Sequence, residues 1–348
     1  MVPDVPQRGA GDMIPHSRPS IGKAEILAVD AVLASGMLLG GREIELFQAA
    51  LASLSRRTGV AMFSSGRMAI RAALASLKLP AGSGVVVQTY VCDAVVWAIR
   101  ENGLKTVFCD VGEGWTATPE TVAAVWSPGC RALILAPPFG LRQSARAFRH
   151  FSVPIIHDLC QASPLLFVDA GPGDIADFAT LSFHPTKYIC AGGGGALLGA
   201  ASPRDGVGAA WSEAAPFNEM NAAMGRVQLD RLRELRDRRT MIAAQYFDAA
   251  GTLADGLRAS ADVAPGDLFR IPLRSDRATF DEITAHFAAQ GISVRRGVDQ
   301  LAHRIAGESD AAYPNALACF AQTFSLPFYP ALSDDDAGRI ARALERLS

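Results

Sequence analysis

Apolar residues recur at two different periods along this chain, and the change of period divides it. Lys23 to Ser35 places Ile26, Val29, Val32 and Leu33 at helical spacing before a stop at Gly36, and a second helical stretch runs from about Glu43 to Arg56. From Gly59 short apolar runs alternate with amphipathic helices. The order is VAMFSS, a helix from Arg67 to Leu77, VVVQT, a helix from Asp93 to Glu101, TVFCDV, a helix from Pro119 to Trp126, ALILAP, a helical segment near Ser144 to His150, PIIHD, and the run Ala179 to Phe183. Continuous Val/Ile/Leu runs joined by helices imply strands buried on both faces of a mostly parallel sheet. Ligands of such sheets gather at the carboxyl ends of the strands. Beyond that region Glu219 to about Ala250 is read as one long helical stretch rich in arginine. Two strand candidates (LFRIPL, ISVRR) and helices from Thr279 to Gln290 and Asp334 to Leu347 then suggest a small α+β domain. The fold class expected is α/β, a mostly parallel sheet flanked by helices with a small C-terminal α+β domain.

Composition narrows the function by exclusion. A length of 348 residues can bury a large core. A formal charge of -2 gives no general attraction to nucleic acid or to an anionic membrane surface, so a charged ligand must be held locally. Residues 1–20 lack the apolar core of a signal peptide, and a cytoplasmic location is expected. Cys92, Cys109, Cys130, Cys160, Cys190 and Cys319 lack paired spacing, and the six histidines form no ligand pair at helical spacing. Neither a disulfide framework nor a metal site is expected.

The chemistry concentrates in ATLSFHPTKYICAGGGG, residues 179–195. A strand-like run ends at His184 and Pro185, presents Lys187, and leaves through Gly192, Gly193, Gly194 and Gly195. A lysine beside packed apolar residues loses hydration, which lowers its pKa and frees the amine for Schiff-base chemistry. Consecutive glycines permit positive φ and close approach to a flat ligand. Only Lys23, Lys78 and Lys105 accompany Lys187, all in polar or turn contexts. Asp158 ends the run PIIHD, where it either pairs with a positive group such as a protonated pyridine or caps the next turn. Ser64, Ser65 and Gly66 lie between a strand and a helix, a place where free N–H groups receive an anion or a serine simply caps. Tyr90, after VVVQT, is placed to stack on a ring or to pack in the core. One ligand that is flat, phosphorylated, basic at a ring nitrogen and reactive as an aldehyde satisfies all four parts, and pyridoxal phosphate is such a ligand.

The strings IPHSRPSIGKAEILAVDAVLASG, SSGRMAIRAAL, QTYVCDAV, HDLCQA, SFHPTK with its glycine turn, NEMNAAMGRVQL and SLPFYPALSDDD span nearly the whole chain. Together they resemble the DegT-type sugar aminotransferases, enzymes of the aspartate-aminotransferase fold (fold type I) that use pyridoxal phosphate. The resemblance implies that Lys187 holds the cofactor as a Schiff base, that Asp158 pairs with the pyridinium nitrogen and that Gln161 approaches the phenolic oxygen. It also implies that Tyr90 stacks on the ring, while Ser65, Ser182, Gly66 and the backbone of Arg67 hold the phosphate. It divides the chain into an N-terminal arm with a large cofactor-binding domain (1–240) and a small C-terminal domain (241–348), and implies a homodimer with shared active sites. The partners implied are a small amino donor such as glutamate and a keto acceptor, a keto-sugar or other small ketone. Another reaction of the cofactor, such as deoxysugar dehydration, and a non-catalytic cofactor-binding regulator stay open.

This chain departs from the family pattern at several points. Gly193 stands where relatives carry an acid, and Ala214, Ala215, Pro216 and Phe217 replace an Asn-x-Arg-Met run whose asparagine reaches the partner subunit's phosphate. Pro137, Pro138, Phe139 and Gly140 replace a His-Leu-Tyr-Gly type segment. Arg67 occupies a position where relatives often have a small hydroxyl residue; its guanidinium either adds a charge-assisted contact to the phosphate in place of the missing asparagine, or points to solvent or caps a neighbouring acid.

Overall fold

Seven strands run side by side in the order β1-β7-β6-β5-β4-β2-β3, and six of them point the same way. The computed structural model describes residues 13–199, 217–255 and 264–347. Two helices, α1 (Lys23–Ser35) and α2 (Arg42–Ser55), precede β1 (Gly59–Phe63). Then follow α3 (Gly66–Ser76), β2 (Gly84–Gln88), α4 (Asp93–Glu101), β3 (Lys105–Cys109), α5 (Pro119–Ala124), β4 (Cys130–Leu135), β5 (Ile155–Asp158), the short α6 (Leu166–Asp169), β6 (Phe178–Ser182) and β7 (Gly195–Gly199). Only β7 is antiparallel to its neighbours β1 and β6. Alternation along the strands separates two apolar faces: Val85, Val87, Ile134 and Ile156 join one buried cluster, and Val86, Leu133, Leu135 and Ile155 another. Because β1, β2, β4, β5 and β6 are co-directional, Ser64, Thr89, Ala136, Asp158 and Ser182 all come to one edge of the sheet. The glycine turn before β7 returns the chain to that edge, where Gly195 stands opposite both Phe63 and Ser182.

The long helical stretch expected from Glu219 is two helices, α7 (Glu219–Asp230) and α8 (Leu232–Ala250), parted at Arg231. Arg231 leaves helical geometry to reach the buried Glu25 of α1 at 2.6 Å and Glu234 at 2.8 Å. Residue 240, the expected end of the first domain, falls inside α8. The remaining elements are β8 (Pro272–Arg274), α9 (Phe280–Ala288), α10 (Pro314–Gln322), β9 (Thr323–Ser325) and α11 (Asp334–Glu345), with β8 and β9 forming an antiparallel pair.

Two expected strands are corrected here. Of LFRIPL only the end pairs, because the N–H of Phe269 is already bonded to the carbonyl of Phe139. ISVRR makes isolated bridges, Ile292 with Ile14 of the N-terminal segment and Arg295 with Ser325 at the end of β9, so its pairing is split between two partners. The helical segment near Ser144 is a 3-10 turn, Ala145–Phe151. One apolar cluster runs from the sheet (Val87, Ile134) through α8 (Ile242, Tyr246) to Leu273, Phe287, Phe324 and Ile340, so the C-terminal elements are packed onto the strand-end edge.

Candidate active site

Every residue expected at the site lines one cleft of about 1020 Å³ at the strand-end edge: Lys187, Asp158, Ser65, Gly66, Arg67, Tyr90, Gln161 and Ser182. The anion end is built by β1 and α3. Ser65 caps α3 by accepting the N–H of Met68 at 3.3 Å, and the first-turn N–H groups of Gly66 and Arg67 have no partner within the helix. Gly66 has no room for a side chain, since a Cβ there would lie 2.8 Å from the Cys160 Sγ and 2.9 Å from the Ser182 Cβ. A small oxyanion on these amides, with the Ser182 hydroxyl beside it, meets the positive end of α3.

Asp158 is fixed by its strand end. Its Oδ1 accepts the N–H of Cys160 at 3.1 Å and the hydroxyl of Thr180 at 3.3 Å, while Oδ2 makes no hydrogen bond among the described residues. The half-buried carboxylate thus offers one oxygen to a cationic N–H, the requirement of a protonated pyridine. The Oε1 of Gln161 accepts the N–H of Phe139 at 2.9 Å, which leaves the amide nitrogen as a donor for a phenolic oxygen. Tyr90 is one of the residues around the cleft but is fully buried, its ring tilted against Phe139 with centres 6.2 Å apart, and burial holds its phenol well above the ordinary value.

Lys187 follows a tight turn in which its own N–H donates to the carbonyl of His184 at 2.8 Å, and its ammonium stands 5.1 Å from the centre of the Phe269 ring. His184 bonds Thr186 through Nδ1 at 3.0 Å, and burial, then the neighbouring Lys187, push its imidazole below the usual value. In the glycine turn Gly192 and Gly194 take φ of 74° and 103°, as expected, but the close approaches are made by protein. The Phe217 ring occupies the place of a Gly194 side chain, and a Cβ at Gly195 would lie 2.5 Å from the carbonyl carbon of Ser65. Gly193 alone faces the cleft with open space around it. The departures at Ala214, Ala215 and Pro216 lie outside the described residues.

Arg67 differs from the first of its two readings in its side chain. The guanidinium is turned to Glu101 of α4, Nη2 to Oε1 at 3.3 Å, with Arg71 on the other carboxylate oxygen at 3.6 Å. An acid one helix away competes for the charge, so the chain's contribution to an anion at this point is the Arg67 backbone amide. Sequence reasoning missed Phe269 and Arg270, which reach Lys187 from the C-terminal part of the chain and line a narrower recess behind it. The signal was a lone arginine inside the apolar run LFRIPL. Burial, then the charge of Arg295, lowers the Arg270 guanidinium to about 10, and it makes no ion pair among the described residues.

The sequence model of the DegT/DnrJ/EryC1/StrS aminotransferase family matches residues 19–202 and 213–345. The chain belongs to this family. Among characterised relatives it is 25% identical to the spore coat polysaccharide biosynthesis protein SpsC of Bacillus subtilis, over 95% of this chain and 96% of the relative. It is 27% identical to the dTDP-3-amino-3,4,6-trideoxy-alpha-D-glucose transaminase of Streptomyces venezuelae, over 91% of this chain and 90% of that enzyme. Of solved structures, the aminotransferase TlmJ from Streptoalloteichus hindustanus superposes with a TM-score of 0.82 at 23% identity, covering 96% of this chain and 98% of that one. DesV of S. venezuelae, solved with a ketimine intermediate, gives 0.80 at 25% identity, covering 93% and 94%. The protein is a pyridoxal phosphate-dependent aminotransferase of fold type I. The residues in the cleft fit that cofactor: a carboxylate oxygen with no hydrogen bond among the described residues, an amide donor, a cradle of N–H groups that a Cβ would close, and a lysine lining the same cleft.

Proposed function

We propose that the enzyme moves an amino group from glutamate or a similar amino acid to a keto-sugar, nucleotide-linked or free, in a biosynthetic route. The observation that carries this reading is the convergence of Lys187, Asp158 and the α3 amides on one cleft in a chain of this family. The S. venezuelae relative is named for a dTDP-linked amino sugar, and SpsC for polysaccharide biosynthesis, which supports a sugar acceptor.

When bound, the cofactor supplies an electron sink conjugated to the amino-bearing carbon. Asp158 Oδ2 would accept the hydrogen bond of a protonated ring nitrogen. Ser182 and the amides of Gly66 and Arg67 would hold the phosphate, and Tyr90 would back one face of the ring. Lys187 is the amine that would hold the aldehyde end of the cofactor and, when free, would carry a proton to and from the substrate's amino-bearing carbon. Arg270, without an ion pair among the described residues and beside Lys187 and Phe269, would offer a cation to the carboxylate of an amino-acid donor.

Incubation of the holoenzyme with glutamate tests the reading. Loss of the visible band of the lysine-bound cofactor with release of 2-oxoglutarate is expected, and an unchanged band across a panel of amino donors overturns it. We also infer a homodimer, supported by the exposed apolar residues Leu33, Met37, Leu38, Leu39 and Leu46 on and between α1 and α2. Sedimentation at micromolar concentration showing only a fully active monomer contradicts that.

A further inference from the structure

Thr89 and Tyr90 follow β2 directly, and the chain from Gly297 to Tyr313 closes on both. The carbonyl of Thr89 accepts the N–H of Ala302 at 2.9 Å, and its Oγ1 accepts the N–H of His303 at 3.1 Å. The same Oγ1 lies 2.6 Å from the His303 Nδ1. Because the hydroxyl oxygen already accepts the His303 amide, its own hydrogen is free to donate to Nδ1, which puts the ring proton on Nε2. That nitrogen donates to the Asp310 Oδ1 at 2.9 Å, and Arg304 holds the same carboxylate at 2.8 and 2.9 Å. Tyr313 stacks on the imidazole with ring centres 4.2 Å apart. Thr89, Tyr90 and His303 are all fully buried. Against the far end of the tyrosine sits Gly297, where a Cβ would collide with the Tyr90 hydroxyl and the Phe139 ring.

We propose that Gly297, His303 and Asp310 form a positioning clasp that sets the Tyr90 ring against the cofactor through Thr89. The inference rests on the reading that Tyr90 covers the cofactor ring. Thr89 to Asp310 has the order of a hydroxyl–imidazole–carboxylate triad, but the hydroxyl is sealed from the cleft, so it orients and does not attack. The consequence is that the C-terminal part of the chain, which also contributes Val298 to the cleft, controls the position of an aromatic side chain carried at the end of β2.

Variants that keep shape and change one bond separate the roles. Thr89→Val removes the hydroxyl and Thr89→Ser restores it. His303→Asn places an acceptor where Nδ1 stands, and His303→Gln serves only the Asp310 side. Thr89→Val and His303→Gln should weaken cofactor binding to the apo-protein about tenfold, equivalent to about 1.4 kcal/mol, and shrink the visible circular dichroism of bound cofactor. Thr89→Ser and His303→Asn should stay within about twofold of wild type on the same scale. Gly297→Ala, which leaves every clasp hydrogen bond in place, should act in the direction of Thr89→Val by displacing Tyr90. Equal affinity and dichroism in all variants, or a fall in melting temperature without either change, overturns the proposal, as does an Asn variant as weak as the Gln one. Tyr90→Leu is the control: if it alters neither signal, the reading of Tyr90 fails, and if it alters both while Thr89→Val does not, the clasp alone fails.

Discussion

Gly66 carries a tight steric demand at the anion end of the cleft, because the Cys160 thiol and the Ser182 side chain meet over it. Gly66→Ala should therefore weaken cofactor binding by an order of magnitude or more in a spectroscopic titration of the apo-protein, and Gly66→Ala/Cys160→Ala should recover part of the loss. Unchanged affinity in the single variant would show that the anion lies elsewhere. Asp158→Ala should leave the fold intact, since only the Cys160 amide and the Thr180 hydroxyl lose an acceptor, yet slow the half-reaction with glutamate by roughly 10²-fold or more. Borohydride reduction of the holoenzyme and peptide mapping should place the pyridoxyl group on Lys187, and a label on Lys23, Lys78 or Lys105 would contradict it. These residues were legible in the sequence because Gly66 starts a helix, Asp158 ends a strand and Lys187 follows the turn at His184 and Pro185, places where local pattern fixes position. Arg67 was not, because its fate depends on Glu101, which the sequence places 34 residues away and the α3–α4 packing brings into reach.

At the scale of elements, α2 and α7 cross where Gly225 faces the ring of Phe47. A Cβ at Gly225 would lie 2.6 Å from that ring, and Phe47 in turn packs on Phe183 and Phe217. Gly225→Ala should cost about 1–3 kcal/mol by overpacking, read as a shift of the urea midpoint. It should also disturb the glycine turn through Phe217, which fills the space over Gly194. Glu219 ties the same helices: its carboxylate accepts the N–H groups of Gly41, Glu43 and Ile44 at the start of α2. The helices with clean stops, such as Lys23–Ser35 before Gly36 and Asp93–Glu101, were readable from period alone. The elements that were not readable depend on distant partners. β7 is a glycine-flanked run, GALLG, whose strand character comes from pairing with β1 and β6, and its reversed direction follows from the return of the glycine turn. The break at Arg231 is set by Glu25, far away in the chain, and α10 follows Pro314 inside a region with no strong period.

For the whole molecule, the buried histidines determine how stability responds to acid. His157 is next to Asp158 on β5 but points to the opposite face of the sheet, is 1% exposed, and has neither ring nitrogen hydrogen-bonded. Burial alone lowers it from 6.5 to about 4. His16, on the N-terminal segment that bonds to residues 291–293, is lowered to about 3 by burial first and by Arg270 and Arg295 after it. Both are neutral in the folded chain across the physiological range. Below pH 6.5 the unfolded chain takes up protons at these sites and the folded chain does not, so stability rises with pH in this window and is lost as pH falls. The loss for His157 begins near pH 6.5 and is complete near its folded value, amounting to about 2 kcal/mol by pH 5. Asp267 opposes this trend, because burial raises its carboxyl and protonation favours the folded form there, but Arg236 at 3.1 Å limits the effect. Urea unfolding of the apo-protein at pH 7 and pH 5 checks the balance. Wild type should lose stability between the two, and His157→Phe should lose about 2 kcal/mol less than wild type over the same interval, whatever its stability at pH 7. Equal losses in the two proteins would mean that the folded chain accommodates a proton on His157.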